Sequence, residues 1–335
     1  MQTPSVLKLN TAQNIFVDDL YDREVLHRLP FCVYPDPAST TLRDRLAEYT
    51  GFAPSFIACG NGADELIDLV FSLFTSPGRS ILICPPTFHM YYHFARLRHI
   101  SCQEVVRSVD TYAFPLAAVL TSSLDAVDLI VIDSPNNPTG DIISRENLIQ
   151  VLSLGKLVLL DEAYYESAGV THANLIRTYS NLIVIRSFSK WAGLAGLRLG
   201  YMIAQPDVIK KVIDAKPPYN VNSLAQHLGL VALDNRKHIL NRMGKLRVAR
   251  KYLHDRLAEL GIFDLFGHNL FFILIKPHYG SIGEWQKLLK NAGILVQVTD
   301  QPLINDALRI SIPTQQDSEI LVQRIKEIYR QISVK

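Results

Sequence analysis

Lys190 lies in a loop rich in glycine and alanine, directly after a predicted strand at residues 182–185 and the sequence Arg-Ser-Phe-Ser. A lysine amine can form a Schiff base with an aldehyde, and a desolvated lysine with a lowered pKa can transfer protons. Lys190 is therefore a candidate for attaching an aldehyde cofactor and for moving protons. The alternative is a surface lysine that flanks a buried strand.

Three other polar residues of the same stretch suit a phosphate group. The hydroxyl groups of Ser187 and Ser189 and the guanidinium of Arg198 can donate hydrogen bonds to phosphate oxygens. Pyridoxal phosphate carries both an aldehyde and a phosphate. The stretch therefore predicts that cofactor.

Polar residues also follow two other apolar strands. Asn137 lies in the turn after a predicted strand at residues 128–133, and Asp161 and Tyr164 end or follow one at residues 156–161. Because the carboxyl ends of neighbouring parallel strands meet at one crevice, we expect these side chains to face Lys190. A carboxylate would keep a pyridine nitrogen protonated, so that the ring can accept electrons. The amide and the phenol would hydrogen-bond the ring hydroxyl.

The sequence resembles the pyridoxal phosphate-dependent aminotransferases of fold type I (class I and II), and among these it is most similar to the histidinol-phosphate aminotransferases. The matching segments follow the family order over nearly the whole chain. They are Tyr-Pro-Asp-Pro at 34–37, Gly-Asn-Gly-Ala-Asp-Glu at 60–65, Pro-Pro-Thr-Phe-His-Met-Tyr at 85–91, Ser-Pro-Asn-Asn-Pro-Thr-Gly at 134–140, Asp-Glu-Ala-Tyr at 161–164, Ser-Phe-Ser-Lys at 187–190, Gly-Leu-Arg-Leu-Gly at 196–200, Pro-Tyr-Asn-Val-Asn at 218–222 and Leu-Arg-Ile at 308–310. The resemblance implies a pyridoxal phosphate-dependent aminotransferase in which Lys190, Asp161 and Tyr164 are catalytic.

The turn at residues 60–62 joins a predicted strand to a predicted helix, where exposed backbone N–H groups can bind an anion. Its spacing is not Gly-x-Gly-x-x-Gly, which disfavours a dinucleotide site. By resemblance, Gly62, Ala63 and Asp64 belong to the part of the site that binds the cofactor phosphate. The resemblance also implies that the ring of Phe88 stacks on the pyridine. The alternative is that Phe88 is a core phenylalanine at the start of a helix.

The resemblance implies a homodimer with composite sites. In this arrangement Tyr34 reaches the cofactor phosphate of the other subunit.

Arg309 lies in a predicted apolar strand at residues 307–312, where an unpaired guanidinium is costly unless it binds an anion. By resemblance Arg309 binds the anionic group of the substrate. Asn14 is the second substrate-binding candidate, in a segment at residues 9–15 that departs from the family sequence Leu-Asn-x-Asn-Glu-Asn-Pro. Gln297 stands where the family has a second arginine for the phosphate of histidinol phosphate. Losing that contact would weaken recognition by about 1.5–3 kcal/mol.

Histidinol phosphate is therefore the leading substrate, and an aromatic or other amino acid that needs only Arg309 is the runner-up. A related pyridoxal phosphate fold decarboxylates threonine phosphate with the same lysine and nearly the same turns, so that reaction stays open. A non-catalytic binding protein would be expected to lack Lys190 or Asp161, and both are present.

The composition is that of a globular protein with roughly two domains: 335 residues, 48% hydrophobic and 20% charged. A net charge of +2 gives no reason to expect a nucleic-acid partner. The four cysteines form no Cys-x-x-Cys pair, and neither a signal peptide nor a membrane-spanning apolar run is present. These features predict a cytoplasmic protein with reduced thiols. His89 and His93 stand one helical turn apart without a third ligand, so no metal site is predicted.

Strands alternate with helices from about residue 55 to residue 204, which predicts an α/β fold with a mainly parallel sheet between helices. We expect this large cofactor-binding domain to span residues 40–225. Residues 226–335 are expected to form a smaller α+β domain, which the N-terminal segment at residues 1–39 joins.

Overall fold

The computed structural model describes residues 6–22, 24, 27, 29–30, 32–267 and 270–333. The strands are β1 (Leu7–Lys8), β2 (Ile57–Gly60), β3 (Ser80–Ile83), β4 (Ser101–Glu104), β5 (Val127–Asp133), β6 (Leu157–Asp161), β7 (Leu182–Ser187), β8 (Gly200–Ile203), β9 (Phe263–Phe266), β10 (Phe272–Pro277), β11 (Ile294–Leu295), β12 (Gln297–Val298) and β13 (Leu308–Ser311). The α-helices are α1 (Thr40–Thr50), α2 (Gly62–Phe74), α3 (Met90–Leu97), α4 (Leu116–Thr121), α5 (Arg145–Leu152), α6 (Tyr165–Ala168), α7 (Pro206–Ala215), α8 (Ser223–Asp234), α9 (Arg236–Ala258), α10 (Ile282–Asn291) and α11 (Gln315–Ser333). Short 3₁₀ helices lie at Ile15–Leu20, Pro54–Phe56, Ala173–Arg177 and Ala195–Leu197.

A sheet of seven strands, in the order β2-β8-β7-β6-β5-β3-β4, forms the centre of the larger part of the molecule. Strand β8 runs antiparallel to both of its neighbours, and the other adjacent pairs are parallel. Helices flank the sheet. The predicted α/β fold with a mainly parallel sheet is confirmed.

The three central strands β5, β6 and β7 are buried almost throughout. Their continuous apolar sequences are those expected of parallel strands covered on both faces. Each strand ends in a polar residue, and these are Asp133, Asp161 and Ser187. The strand ends therefore bring polar groups together at one edge of an otherwise apolar core.

The C-terminal part contains a four-stranded sheet with the order β12-β13-β10-β9, in which all adjacent pairs are antiparallel. Strand β1 pairs in parallel with β11. The backbone N–H of Ala12 also donates to Oγ of Ser311, at 2.8 Å. The N-terminal segment thus lies against the C-terminal strands. The domain boundaries after residues 39 and 225 stay predictions.

The sequence predicts a single strand at residues 294–299, an N-cap for a helix at Ser39 or Thr40, and a helix at residues 18–29, and the described residues depart from each of these local predictions. The strand predicted at residues 294–299 is divided into β11 and β12, because the two halves pair in different sheets. Ser39 does not cap α1 with its side chain, since the carboxylate of Asp36 accepts from the N–H of Thr40 instead, at 2.6 Å. Of the helix predicted at residues 18–29, residues 18–20 belong to the 3₁₀ helix Ile15–Leu20, Glu24 and His27 are also in 3₁₀ conformation, and residues 23, 25, 26 and 28 lie outside the described residues.

Within the described ranges, no helix has the length and apolar character needed to cross a membrane.

Candidate active site

A cleft of about 660 Å³ lies at the carboxyl ends of β5, β6 and β7, beside the N-terminus of α2. It is lined by Ala63, Asp64, Phe88, Asp133, Pro135, Asn137, Asp161, Ala163, Tyr164, Ser187, Ser189, Lys190, Ala195 and Arg198. Most of the residues predicted from the sequence to bind one cofactor thus line one cavity, although they come from distant parts of the chain; Gly62 and Tyr34 do not line it.

Asp161 lies at the end of β6, and its side chain is buried. Its Oδ1 accepts from the backbone N–H of Ala163, and its Oδ2 accepts from the hydroxyl of Tyr91, both at 2.9 Å. Burial raises the pKa of the Asp161 carboxyl to about 7, and these two hydrogen bonds oppose the rise. A carboxyl group of this kind readily shares a proton with a basic nitrogen placed in the cleft.

Lys190 follows β7, and its Nζ donates to the backbone carbonyl oxygen of Ala12 at 3.3 Å. The same Nζ lies 5.3 Å from the centre of the Tyr164 ring, over its face. Ala12 belongs to the N-terminal segment that Ser311 holds in place. The amine therefore projects into the cleft between the central sheet and the N-terminal segment.

Arg198 closes one end of the cleft, where its guanidinium bonds the Asp64 carboxylate at 2.7 Å. The backbone comes very close here, because a Cβ on Gly200 would lie 2.5 Å from the backbone nitrogen of Ala63. Gly62 has a positive φ of +86°, and a Cβ there would lie 2.6 Å from the Arg198 guanidinium. Only glycines fit this close approach of the α2 N-terminus to β8.

Ser187 and Ser189 line the same end of the cleft, and both are buried. The Ser187 hydroxyl accepts from the backbone N–H of Ser189 at 3.0 Å, which fixes the turn before Lys190. Two hydroxyls, a guanidinium and a helix N-terminus converge here. This set of donors suits a phosphate group.

Asn137, Tyr164 and Phe88 line the middle of the cleft. The backbone N–H of Asn137 is fixed by the carboxylate of Asp133 at 2.9 Å. Tyr164 is buried and packs against Phe271 and Phe272, and Phe88 meets Tyr91 edge to face at 5.6 Å. An amide, a phenol and an aromatic ring therefore surround the space between Asp161 and Lys190.

A second cleft adjoins the first and shares Phe88 and Asn137 with it. It also contains Arg309 and Gln297, which are register partners in the β12–β13 pair. Arg309 bonds Oδ1 of Asn137 at 3.5 Å and the backbone oxygen of Asn10 at 3.2 Å, and its guanidinium stacks over Phe272 at 4.9 Å. Its Nε is buried and has no hydrogen-bond partner among the residues that the structure describes.

Three predicted site residues do not line either cleft: Gly62, which begins α2 next to the lining residue Ala63, Asn14 and Tyr34. The Asn14 amide is used within the fold, where it donates to the backbone oxygen of Trp191 at 3.0 Å and accepts from the N–H of Phe16 at 3.2 Å. Tyr34 is 76% exposed and stacks on Tyr219 with a centroid distance of 4.4 Å.

In the described part of the chain, no cluster of three or more His, Cys, Asp or Glu side chains could hold a metal ion. His89 and His93 pack against the neighbouring rings of Phe88 and Phe94.

A profile of the family described as aminotransferase class I and II matches residues 22–325. The chain belongs to this family. The aminotransferase is 36% identical over 324 residues to a protein of Dehalococcoides mccartyi (strain ATCC BAA-2100 / JCM 16839 / KCTC 5957 / BAV1) named histidinol-phosphate aminotransferase, covering 96% of this chain and 90% of the relative.

Two solved structures share the fold of this aminotransferase. The histidinol-phosphate aminotransferase from Clostridium acetobutylicum matches with a TM-score of 0.86 and 24% identity, covering 97% of this chain and 100% of that chain. The enzyme of the same name from Sinorhizobium meliloti, in complex with pyridoxal-5'-phosphate, also matches with a TM-score of 0.86, at 20% identity over 98% of this chain and 92% of that chain.

Two residues of this aminotransferase that border the site were not predicted from the sequence. Asp133 ends β5 as Asp161 ends β6, so its place at the end of an apolar strand was a usable signal. Tyr91 lies on α3 and reaches Asp161 across the structure. Only the packing of α3 on the sheet reveals that contact.

Proposed function

We propose that this aminotransferase uses pyridoxal phosphate and transfers the amino group between histidinol phosphate and a 2-oxo acid. The observation that carries the proposal is that Lys190 and Asp161 line one cleft, with a phosphate-binding set of donors at its end. The names of the relatives support the choice of substrate.

The chemistry of the donors fits pyridoxal phosphate. The raised pKa of Asp161 suits a hydrogen bond to a pyridine nitrogen, because a buried carboxylate needs a cationic partner. The phosphate is suited by the donors at one end of the cleft, which are Arg198, Ser187, Ser189 and the backbone around Ala63. Because Gly62 and Gly200 have no Cβ, the N-terminus of α2 can lie close to β8 and to Arg198 at this end.

When bound, pyridoxal phosphate supplies an aldehyde that takes up amino groups and a ring that accepts electrons. Asp161 would hold a proton at the pyridine nitrogen. Asn137 and Tyr164 would hydrogen-bond the ring hydroxyl, and the ring of Phe88 would pack against the pyridine. Lys190 would hold the aldehyde group, and its Nζ would move a proton to and from the substrate carbon.

Arg309 is proposed to bind the anionic group of the substrate. Burial lowers the pKa of this guanidinium, and its buried Nε has no partner among the described residues. A partly buried cation without a carboxylate within ion-pairing distance in the described ranges is a strong anion-binding candidate. The second cleft, which contains it, opens beside Asn137 and Phe88.

An aminotransferase for an amino acid is the second candidate, and Gln297 is the observation that favours it. Gln297 faces Arg309 across β12 and β13, at the position where the resemblance predicts a second arginine. A carboxylate needs only one guanidinium, whereas a phosphate dianion gains from two.

We further propose a homodimer in which Tyr34 completes the phosphate site of the partner. The support is that Tyr34 and Tyr219, which are 76% and 46% exposed, form a stacked aromatic pair. The cytoplasmic location stays a prediction.

The test is a panel of amino donors with the purified protein, pyridoxal phosphate and 2-oxoglutarate. The panel contains histidinol phosphate, phenylalanine and threonine phosphate, and glutamate is followed separately through the change in cofactor absorbance without an acceptor. We expect transfer from histidinol phosphate to give glutamate, and no activity in Lys190→Ala. Faster transfer from phenylalanine would favour the second candidate, and carbon dioxide release from threonine phosphate would make the enzyme a decarboxylase. Protein that never takes up the cofactor would end the proposal.

A further inference from the structure

Asp133 and Asp161 are register partners on the neighbouring parallel strands β5 and β6. Adjacent strands lie about 4.8 Å apart, and paired residues point to the same face of the sheet. Both side chains line the cleft, and Asp133 is only 4% exposed. The site therefore contains two buried carboxyl groups side by side, and the mechanism above uses only one of them.

Among the residues that the structure describes, the polar contacts of the Asp133 carboxyl are all with hydrogen-bond donors. Its Oδ1 accepts from the Thr87 hydroxyl at 3.0 Å and from the Asn136 amide at 2.7 Å. Its Oδ2 accepts from the backbone N–H of Asn137 at 2.9 Å. The guanidinium of Arg107 lies 3.6 Å away and is itself buried. Four donors around one carboxyl, with no acceptor bonded to it in the described part of the chain, are the surroundings of an ionised carboxylate.

These contacts join the segments that shape the cleft. Thr87 precedes Phe88, and its backbone N–H donates to Oε1 of Gln301 at 2.8 Å, so it also links to the second cleft. The backbone N–H of Asn137 donates directly to the Asp133 carboxylate, which fixes the position of Asn137. Removing Asp133 would therefore free the segments that carry Phe88 and Asn137.

We propose that Asp133 is a positioning residue, which holds Asn137 and Phe88 in place and adds a second negative charge beside Asp161 that favours a protonated cofactor nitrogen. The inference deepens the proposed function and rests on it. A negative charge next to Asp161 favours the protonated form of any group that Asp161 contacts. Burial raises the pKa of Asp133, and Arg107 and the three hydrogen bonds oppose that rise.

The electrostatic part of the proposal involves groups from every neighbouring element. The charged and titratable side chains around the two carboxyls are Asp64 of α2, Cys84 after β3, Tyr91 of α3, Arg107 after β4, Asp141 after the Asn137 turn, Tyr164 after β6, and Lys190 and Arg198 after β7. The substitutions below change none of these except Asp141, which serves as the control.

Asp141 provides a matched control because it bonds the same buried guanidinium, with Oδ2 2.8 Å from Arg107. It does not line either cleft. Asp133→Asn and Asp141→Asn each remove one carboxylate from Arg107, and only Asp133→Asn removes charge from the site. A role for Asp133 that is limited to pairing with Arg107 predicts similar effects of the two substitutions.

The experiment compares both variants with the wild-type holoenzyme, using pyridoxal phosphate labelled with ¹⁵N at the ring nitrogen. For Asp133→Asn we expect the pH at which the ring nitrogen loses its proton to fall by about one unit or more, because a like-signed neighbour of Asp161 is lost. We also expect the cofactor to bind about tenfold more weakly, through the loss of charge-assisted contacts around Asn137. Asp141→Asn should leave the nitrogen titration unchanged.

The inference is overturned if Asp133→Asn keeps the wild-type nitrogen titration and cofactor affinity, or if Asp141→Asn shifts both equally. Asp133→Ser, which keeps an oxygen at this position, replaces Asp133→Asn if thermal unfolding shows that the latter is not folded. A wild-type protein that binds no cofactor would instead contradict the proposed function.

Discussion

The hydroxyl of Tyr91 lies 2.9 Å from Oδ2 of Asp161, and both side chains are buried. Tyr91 comes from α3, whereas Asp161 ends β6, so the contact depends on how the helix packs on the sheet. The hydrogen bond lowers the pKa of Asp161 against the larger effect of burial. Tyr91 thus helps to keep ionised the acid that is proposed to contact the cofactor nitrogen.

Tyr91→Phe should raise the pKa of Asp161 above its present value of about 7 and lower kcat. The lost contact to a charged group is worth about 1.5–3 kcal/mol, which corresponds to roughly a tenfold fall or more in kcat near neutral pH. Since Asp161 must then lose its proton at higher pH, the acid side of the profile of kcat against pH should move to higher pH. Steady-state kinetics at saturating substrate from pH 5 to 9 test this.

Tyr92→Phe is the control, because Tyr92 gives its hydrogen bond to Glu104, outside the cleft. It should leave the pH profile in place. A Tyr91→Phe enzyme whose profile matches that of Tyr92→Phe would contradict a role for this hydrogen bond.

Gln297→Arg should lower the KM for a phosphorylated substrate. Gln297 is the register partner of Arg309 and lines the same cleft, so a guanidinium there would be a second donor to a phosphate dianion. One such contact is worth about 1.5–3 kcal/mol, or roughly a tenfold change or more in KM. Kinetics should show a lower KM for histidinol phosphate and an unchanged KM for phenylalanine.

Gln316→Arg adds the same charge on the exposed face of α11 and controls for net charge. An equal gain in both variants would mean that long-range attraction is responsible. No gain in Gln297→Arg would mean that the substrate's anionic group binds away from β12.

Gly200→Ala should weaken cofactor binding without destroying the fold. Its new Cβ would lie 2.5 Å from the backbone nitrogen of Ala63, which would push the N-terminus of α2 away from Arg198. The donors for the phosphate would then diverge, and we expect a rise in Kd of roughly tenfold. Fluorescence titration of the apoprotein with pyridoxal phosphate measures this.

Gly196→Ala, in the 3₁₀ helix Ala195–Leu197 just before β8, is the matched control, because a Cβ there meets no atom within 4 Å. It should bind the cofactor as the wild type does. Equal affinities of the two variants would show that the close approach at Gly200 is not needed for phosphate binding.

The position of the cleft followed from the sequence because it depends on strand ends. Asn137, Asp161 and Lys190 each follow an apolar run, and parallel strands bring such positions together whatever their separation along the chain. The mainly parallel sheet was predictable for the same reason.

What could not be predicted depends on packing between elements. The Tyr91 contact and the contact of Ala12 with Lys190 join segments whose approach has no local pattern in the sequence. Asn14 was predicted to bind substrate, but its side-chain amide hydrogen-bonds the backbone of Trp191 and Phe16 within the fold. A resemblance identifies such a residue but does not show which atoms it contacts.

The buried carboxyl of Glu166 is expected to make the stability of this protein depend on pH. Its side chain is buried, and burial raises its pKa to about 8, while the nearby Arg186 lowers it. Between pH 4.5 and 8 the folded state holds a proton that the unfolded state has released. The free energy of unfolding should therefore fall as pH rises through this window, by on the order of 2 kcal/mol or more.

Glu166→Gln removes that proton exchange and keeps an oxygen that can accept from the Tyr49 hydroxyl, now 3.3 Å from Glu166. Relative to the wild type, the variant should gain stability as the pH rises from 5 to 8.5, because the wild type must either place a charge in the core or retain a proton there. Urea unfolding at several pH values measures the difference. Glu146→Gln, an exposed substitution on α5, should leave the slope of stability against pH unchanged. Parallel curves for wild type and Glu166→Gln would mean that Arg186 keeps Glu166 ionised in the folded protein throughout this range.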